Sequence, residues 1–161
     1  MYNRCKKMFL IQHIRNVHLY RYANIVYPHI ITPKTPYLAL CGNIIHPTDS
    51  NYKIYKSFLR YCSDHWEKVF YIPGPTEKVC SEAIEQLCEA HKNIHFLDTN
   101  TYKVPKLPLQ VVGAMSLYSS GEYIKDTIYN GIDNKYDTLL LSYQYNPFFI
   151  SGVPHEQHPK E

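Results

Sequence analysis

A chain of 161 residues and 19.0 kDa, 45% apolar and 19% charged, can bury one core without a disulfide or metal staple, and its 16 Tyr, 6 Phe and single Trp exclude a disordered segment. The formal charge of +3, from 17 basic and 14 acidic residues, reads as too small and too dispersed to imply nucleic acid. No apolar run approaches the length of a bilayer span, since the best one, Met8 to Ile11, is broken at Gln12 and His13.

Residues 1–7 are polar and basic and read as a loose start. They lack the long apolar stretch and small-residue cleavage site of a secretory signal, so the chain is expected to remain cytoplasmic. Met8–Ile14 reads as a first strand, apolar enough to be central. A long connection with Pro28, Pro33 and Pro36 leads to a second strand, Tyr37–Cys41, ended by Gly42. Asp49 or Ser50 is expected to cap a helix whose apolar positions Tyr55, Phe58, Leu59, Cys62 and Trp66 recur at helical spacing. Val69–Ile72 is a third strand, stopped by Pro73-Gly74-Pro75. Thr76 is expected to cap one helix carrying Val79, Cys80, Ala83, Ile84, Leu87, Cys88 and His91 on a stripe. Strands follow at Ile94–Leu97 and Leu109–Val112, then a short helix near Glu122–Tyr129, then strands at Thr138–Leu141 and Phe148–Ile150. The tail from His155 onward, and residues 156–161 above all, reads as frayed.

This alternation predicts a single α/β layered domain over residues 1–161 with a parallel sheet at its start. Function in such a sheet collects in the loops beyond the carboxyl ends of the strands. Cys5, Cys41, Cys62, Cys80 and Cys88 form an odd set without a CxxC pair, which fits free thiols in a reducing compartment.

The strand-end loops carry a pattern. They are Ile14-Arg15-Asn16-Val17-His18-Leu19, Leu40-Cys41-Gly42-Asn43-Ile44, Val69-Phe70-Tyr71-Ile72-Pro73-Gly74-Pro75-Thr76-Glu77, Val111 to Ser119, Leu139-Leu140-Leu141-Ser142-Tyr143-Gln144 and Phe149 to His155. In order and spacing, over roughly residues 8–155, they resemble the calcineurin-like metallophosphoesterases. The resemblance implies a layered β-sandwich flanked by helices, truncated here because only eight residues separate Tyr143 from Gly152. That family holds two metal ions with an Asp-x-His, a Gly-Asp, a Gly-Asn-His-acid turn, a later histidine and a final Gly-His-x-His. At the corresponding positions this chain has Asn16 for the first aspartate, with His18 retained, and Asn43 for the bridging aspartate. Pro75 and Thr76 replace the asparagine and histidine of the third loop, followed by Glu77. Tyr143 replaces the late histidine, Val153 replaces the first histidine of the last motif, and His155 aligns with the second.

Two adjacent dications need anionic ligands to offset their repulsion, above all a shared carboxylate. Asn43 supplies only a neutral oxygen, and Pro75 and Val153 supply no side-chain donor. The resemblance therefore implies a pseudoenzyme with no cofactor and no catalytic residue, acting through binding or as a structural protein, with a protein partner or self-association favoured and no membrane. The alternatives are a residual phosphohydrolase using one manganese or zinc ion at His18, His155 and Glu77, and a nucleic-acid-binding module. Read alone, His18 is a packed strand-end histidine, His155 belongs to a polar tail, and Glu77 complements a helix N-terminus. Proline 75 removes one of the amide donors that an anion site at that turn would use. Tyr20, Tyr22, Tyr27, Tyr143 and Tyr145 read first as core substitutes, then as interface anchors, then as base-stacking groups beside Arg15, Arg21 and Lys34.

Overall fold

The strands at Tyr37–Cys41 and Lys68–Ile72 bury both faces, and the chain answers with a layer on either side. The first strand, expected to be central, is instead a half-exposed edge strand over Ile11–Ile14, because Gln12 and His13 interrupt its apolar run. The computed structural model describes residues 9–22, 24–46, 48, 50–115, 118–119, 122–123, 136–143 and 147–150. A first sheet is wholly parallel, in the order β1 (Ile11–Ile14), β2 (Tyr37–Cys41), β3 (Lys68–Ile72), β4 (Ile94–Phe96). Strands β5 (Asn100–Lys103), β6 (Leu109–Ala114), β9 (Asp137–Ser142) and β10 (Phe148–Ile150) build the second sheet in the order β10-β9-β6-β5. In it β6 and β9 are parallel while both outer strands are antiparallel to their neighbours. A two-stranded ladder pairs β7 (Tyr118–Ser119) with β8 (Glu122–Tyr123).

Helices α1 (Tyr27–Ile30), α2 (Tyr52–His65), α3 (Pro75–Lys78) and α4 (Ser81–Glu89) lie in the connections. Period-two patterning decides the layers. Leu38, Leu40, Val69 and Tyr71 pack with Phe58, Leu59, Cys62, Ile84 and Cys88 of α2 and α4. The alternate residues Ala39, Cys41, Phe70 and Ile72 pack with Val111, Leu139 and Leu141 of the second sheet. The result is a mixed α/β arrangement in which two sheets share one core and the helices share another.

Several local expectations are corrected. The helix start falls at Asn51 rather than at Ser50; Asn51 makes no side-chain cap and donates instead to the His46 carbonyl at 3.1 Å. Asp49 lies outside the described residues. The long helix capped by Thr76 is two helices, α3 with Gly74 at its cap and α4 after a break. At that break the Ser81 hydroxyl takes the Lys78 carbonyl at 2.7 Å, so side chain competes with helical backbone. Val79, assigned to the stripe, is 81% exposed. Residues 122–123 are strand rather than helix, and 124–129 lie outside the described residues. Strand β5 was not foreseen, because Asn100-Thr101-Tyr102-Lys103 is an outer strand that has no need of an apolar face. Residues 1–7 and 156–161 also lie outside the described set, and no described helix is long and apolar enough to cross a membrane.

Candidate functional site

Because the first sheet is parallel, the loops after β1, β2 and β3 emerge at one end, and β9 delivers Tyr143 to the same end. Four residues there, Asn16, His18, Gly42 and Asn43, have φ of 56°, 49°, 81° and 51°. Left-handed backbone is tolerated by glycine and, among other residues, best by asparagine, so two asparagines and a glycine suit the path the loops take. The loops are laced by main-chain bonds from Asn16 N to Gly42 O, His18 N to Asn43 O and Leu19 N to Ile44 O, at 3.0, 3.0 and 2.8 Å. Gly42 approaches so closely that a Cβ on it would lie 2.7 Å from Gly74 Cα and 2.8 Å from a Tyr143 ring carbon.

Asn43 is the hub. Its Nδ2 donates to Asn16 Oδ1 at 3.1 Å and to the Tyr143 hydroxyl at 2.8 Å. Its Oδ1 accepts from Thr76 N at 3.3 Å and Thr76 Oγ1 at 2.9 Å. The Thr76 amide is an obligate donor, which fixes which end of the carboxamide faces it. Two donors and two acceptor positions are thus all engaged within the protein. Arg15 braces the same corner, its Nη1 donating to the Tyr143 carbonyl at 3.3 Å.

Beneath this neutral hub lies Glu77, fully buried. Oε1 accepts from Ile44 N at 2.7 Å and from the Tyr71 hydroxyl at 2.9 Å, while Oε2 accepts from Asn43 N at 2.8 Å and Gly74 N at 2.7 Å. All four contacts are donors, so both oxygens are spent on holding the β2 and β3 loops together. The Tyr55 hydroxyl donates to Tyr71 at 2.5 Å, extending the chain of donors into the core. Burial, with Tyr55 and Glu77 alongside, holds the Tyr71 phenol well above its usual range. Cys41, at the end of β2, is no nucleophile: burial pushes its thiol up to about 12 despite the opposing charge of Arg15.

Of the positions singled out in the sequence, Asn16, Asn43, Thr76 and Tyr143 converge within hydrogen-bonding distance. His18 stands beside them but outside the network, with Nδ1 3.4 Å from the Tyr20 hydroxyl and its ring edge-on to that tyrosine. Pro75 is exposed at the first position of α3, where its missing N–H costs nothing. Val153 and His155 lie outside the described residues. Thr76 caps no helix, because its hydroxyl is taken by Asn43. Sequence reasoning gave Glu77 the milder role of balancing a helix N-terminus. It does accept from the cap amide of Gly74, but the larger part of its bonding ties two loops, and Glu77 falling three residues after that turn glycine was the only signal of it.

The fit to a dinuclear metal centre is poor on these donors. The Asn43 amide is saturated, both Glu77 oxygens are filled, and Thr76 and Tyr143 offer hydroxyls, which are poor ligands for such ions. Among the described residues, no three His, Cys, Asp or Glu side chains are placed to share a metal ion. No protein-family model matches the chain, and no curated protein or solved structure matches it either.

Proposed function

We propose that this protein is a non-catalytic, metallophosphoesterase-like binding protein whose strand-end site is closed by hydrogen bonds between its own side chains. The observation that carries this reading is the Asn43 carboxamide, which uses every donor and acceptor it has on Asn16, Thr76 and Tyr143. A carboxylate at that position would bridge and neutralise two cations; the amide does neither. Opening the site to a metal would break four hydrogen bonds and leave neutral oxygens as the replacement ligands. The mixed α/β sandwich and the convergence of the four positions support the kinship read from the loop order.

The test is direct. Protein purified without chelator is expected to carry substoichiometric manganese, zinc and iron by mass spectrometry, and to leave bis(p-nitrophenyl) phosphate intact with manganese or zinc added. Stoichiometric metal together with turnover that His18→Ala abolishes would establish the residual phosphohydrolase instead. A fourfold reversion, Asn16→Asp, Asn43→Asp, Thr76→His and Tyr143→His, is expected to gain metal affinity over the parent by equilibrium dialysis.

A further inference from the structure

The overall charge of +3 hides a strong separation. No Asp or Glu occurs in the first 48 residues, which carry six Lys or Arg and four His, whereas the rest of the chain has eleven Lys or Arg against all fourteen acids. The described part of this acid-free segment is β1, β2, the connection between them and the loop after β2. Of its described cations, Arg15 and Arg21 follow the edge strand β1 at its carboxyl end, and Lys34 precedes β2 at the other end. Arg15, Arg21 and Lys34 take part in no ion pair among the described residues. His13 shows the same field, for burial and the charge of Arg15 both lower its affinity for a proton.

The tyrosines of this connection divide. Tyr27 is core, packed edge-on to Phe58 and bonded through its hydroxyl to the Ile54 carbonyl at 3.4 Å. Tyr20 and Tyr22 are 42% and 46% exposed, and the Arg21 guanidinium lies 5.8 Å from the Tyr20 ring centre. Beside them a cleft of about 480 Å³ opens between the β1 loop and the connection, walled in part by Asn16, Tyr22, Asn24, Val26 and His29, with no acidic side chain in its lining. That volume is within the range of small-ligand sites and takes one nucleoside.

We propose that this acid-free face, centred on Tyr20, Arg21 and Tyr22, binds a single strand of nucleic acid. Exposed rings supply stacking platforms that accept any base, and Arg21 beside them, with Arg15 on the preceding loop, meets the phosphates. A protein partner presents both signs of charge, whereas a cleft whose lining holds Arg15 and His29 but no carboxylate, with Arg21 beside it, suits a polyanion. The side-chain amides of Asn16 and Asn24 at the cleft offer donors and acceptors to a base edge. This names a partner class for the binding role proposed above, and rests on that reading only in that the bound strand stays intact.

Fluorescence anisotropy with labelled 12-nucleotide single strands of RNA and DNA, and with a 12-base-pair duplex, tests it. Binding of a single strand in preference to the duplex is expected, with a log–log salt slope of about −1.4, as about two phosphate contacts give. Tyr20→Ala with Tyr22→Ala, and separately Arg21→Glu, are each expected to weaken binding about tenfold or more. All three residues are exposed, so the variants are expected to keep the parent circular dichroism spectrum and melting temperature. Lys92→Glu, exposed near the opposite end of the parallel sheet, is expected to leave binding unchanged. No binding at low salt, equal loss in Lys92→Glu, or equal affinity for duplex would overturn the proposal. So would a homodimer, seen by sedimentation, that Tyr20→Ala with Tyr22→Ala dissolves. Shortening of the bound strand would instead sink the non-catalytic reading and leave the surface standing.

Discussion

Two neighbouring regions at the same end of the parallel sheet treat their polar groups in opposite ways. Around Asn43 and Glu77 the carboxamide, both carboxylate oxygens and the flanking amides are consumed internally. A few residues away, Tyr20, Arg21 and Tyr22 leave rings and a cation to solvent. A site that binds needs unspent capacity, and on that ground the Asn43–Glu77 cluster is framework, whereas the Tyr20–Tyr22 border keeps groups free to meet a partner.

The contrast is most easily broken at Glu77. Replacing it by alanine strands three buried amides and the Tyr71 hydroxyl, and is expected to cost at least ~3 kcal/mol in urea unfolding at unchanged m-value. A loss below ~1 kcal/mol would show that the loops are held by something else. Next in size is Gly74→Ala, whose Cβ would meet Asn43 N at 2.6 Å and Asn43 Oδ1 at 2.7 Å. It is expected to cost ~2 kcal/mol and to spread the loop amide signals in a two-dimensional NMR spectrum. The smallest effect is a pH dependence from a third place. His95 packs in a cluster with the rings of Phe70 and Tyr102, its Nε2 buried without a partner among the described residues. Burial, aided by Lys68, lowers its pKa from 6.5. The unfolded chain therefore binds the proton first, so this stability is intact above pH 6.5 and is lost as the pH falls through the folded value. His95→Phe is expected to flatten that part of the thermal-denaturation profile between pH 7 and 5.

The middle of the parallel sheet is legible because β2 and β3 are apolar runs followed by glycine or proline turns: Tyr37–Cys41 reads with the bounds it has. Strand β5 and the α3–α4 break were hidden, since one is set by pairing with β6 and the other by a serine hydroxyl that periodicity does not see. The convergence of Asn16, Asn43, Thr76 and Tyr143 was legible as a set of positions. Their mutual bonding was not, because it depends on left-handed backbone at Asn16 and Asn43. The cationic border is hidden in the net charge of +3, although the stretch without acids stands in the sequence itself.

Three of the four donors on Glu77 are main-chain amides, of Asn43, Ile44 and Gly74. Such donors have no side-chain identity to lose, so the clasp rests on few codons: Glu77 first, then Gly74 for want of room and Tyr71 for its hydroxyl. Neighbouring codons are free to drift so long as the chain keeps its course, and in a saturation library this glutamate is expected to stand as an intolerant column beside a more permissive exposed position such as Pro75.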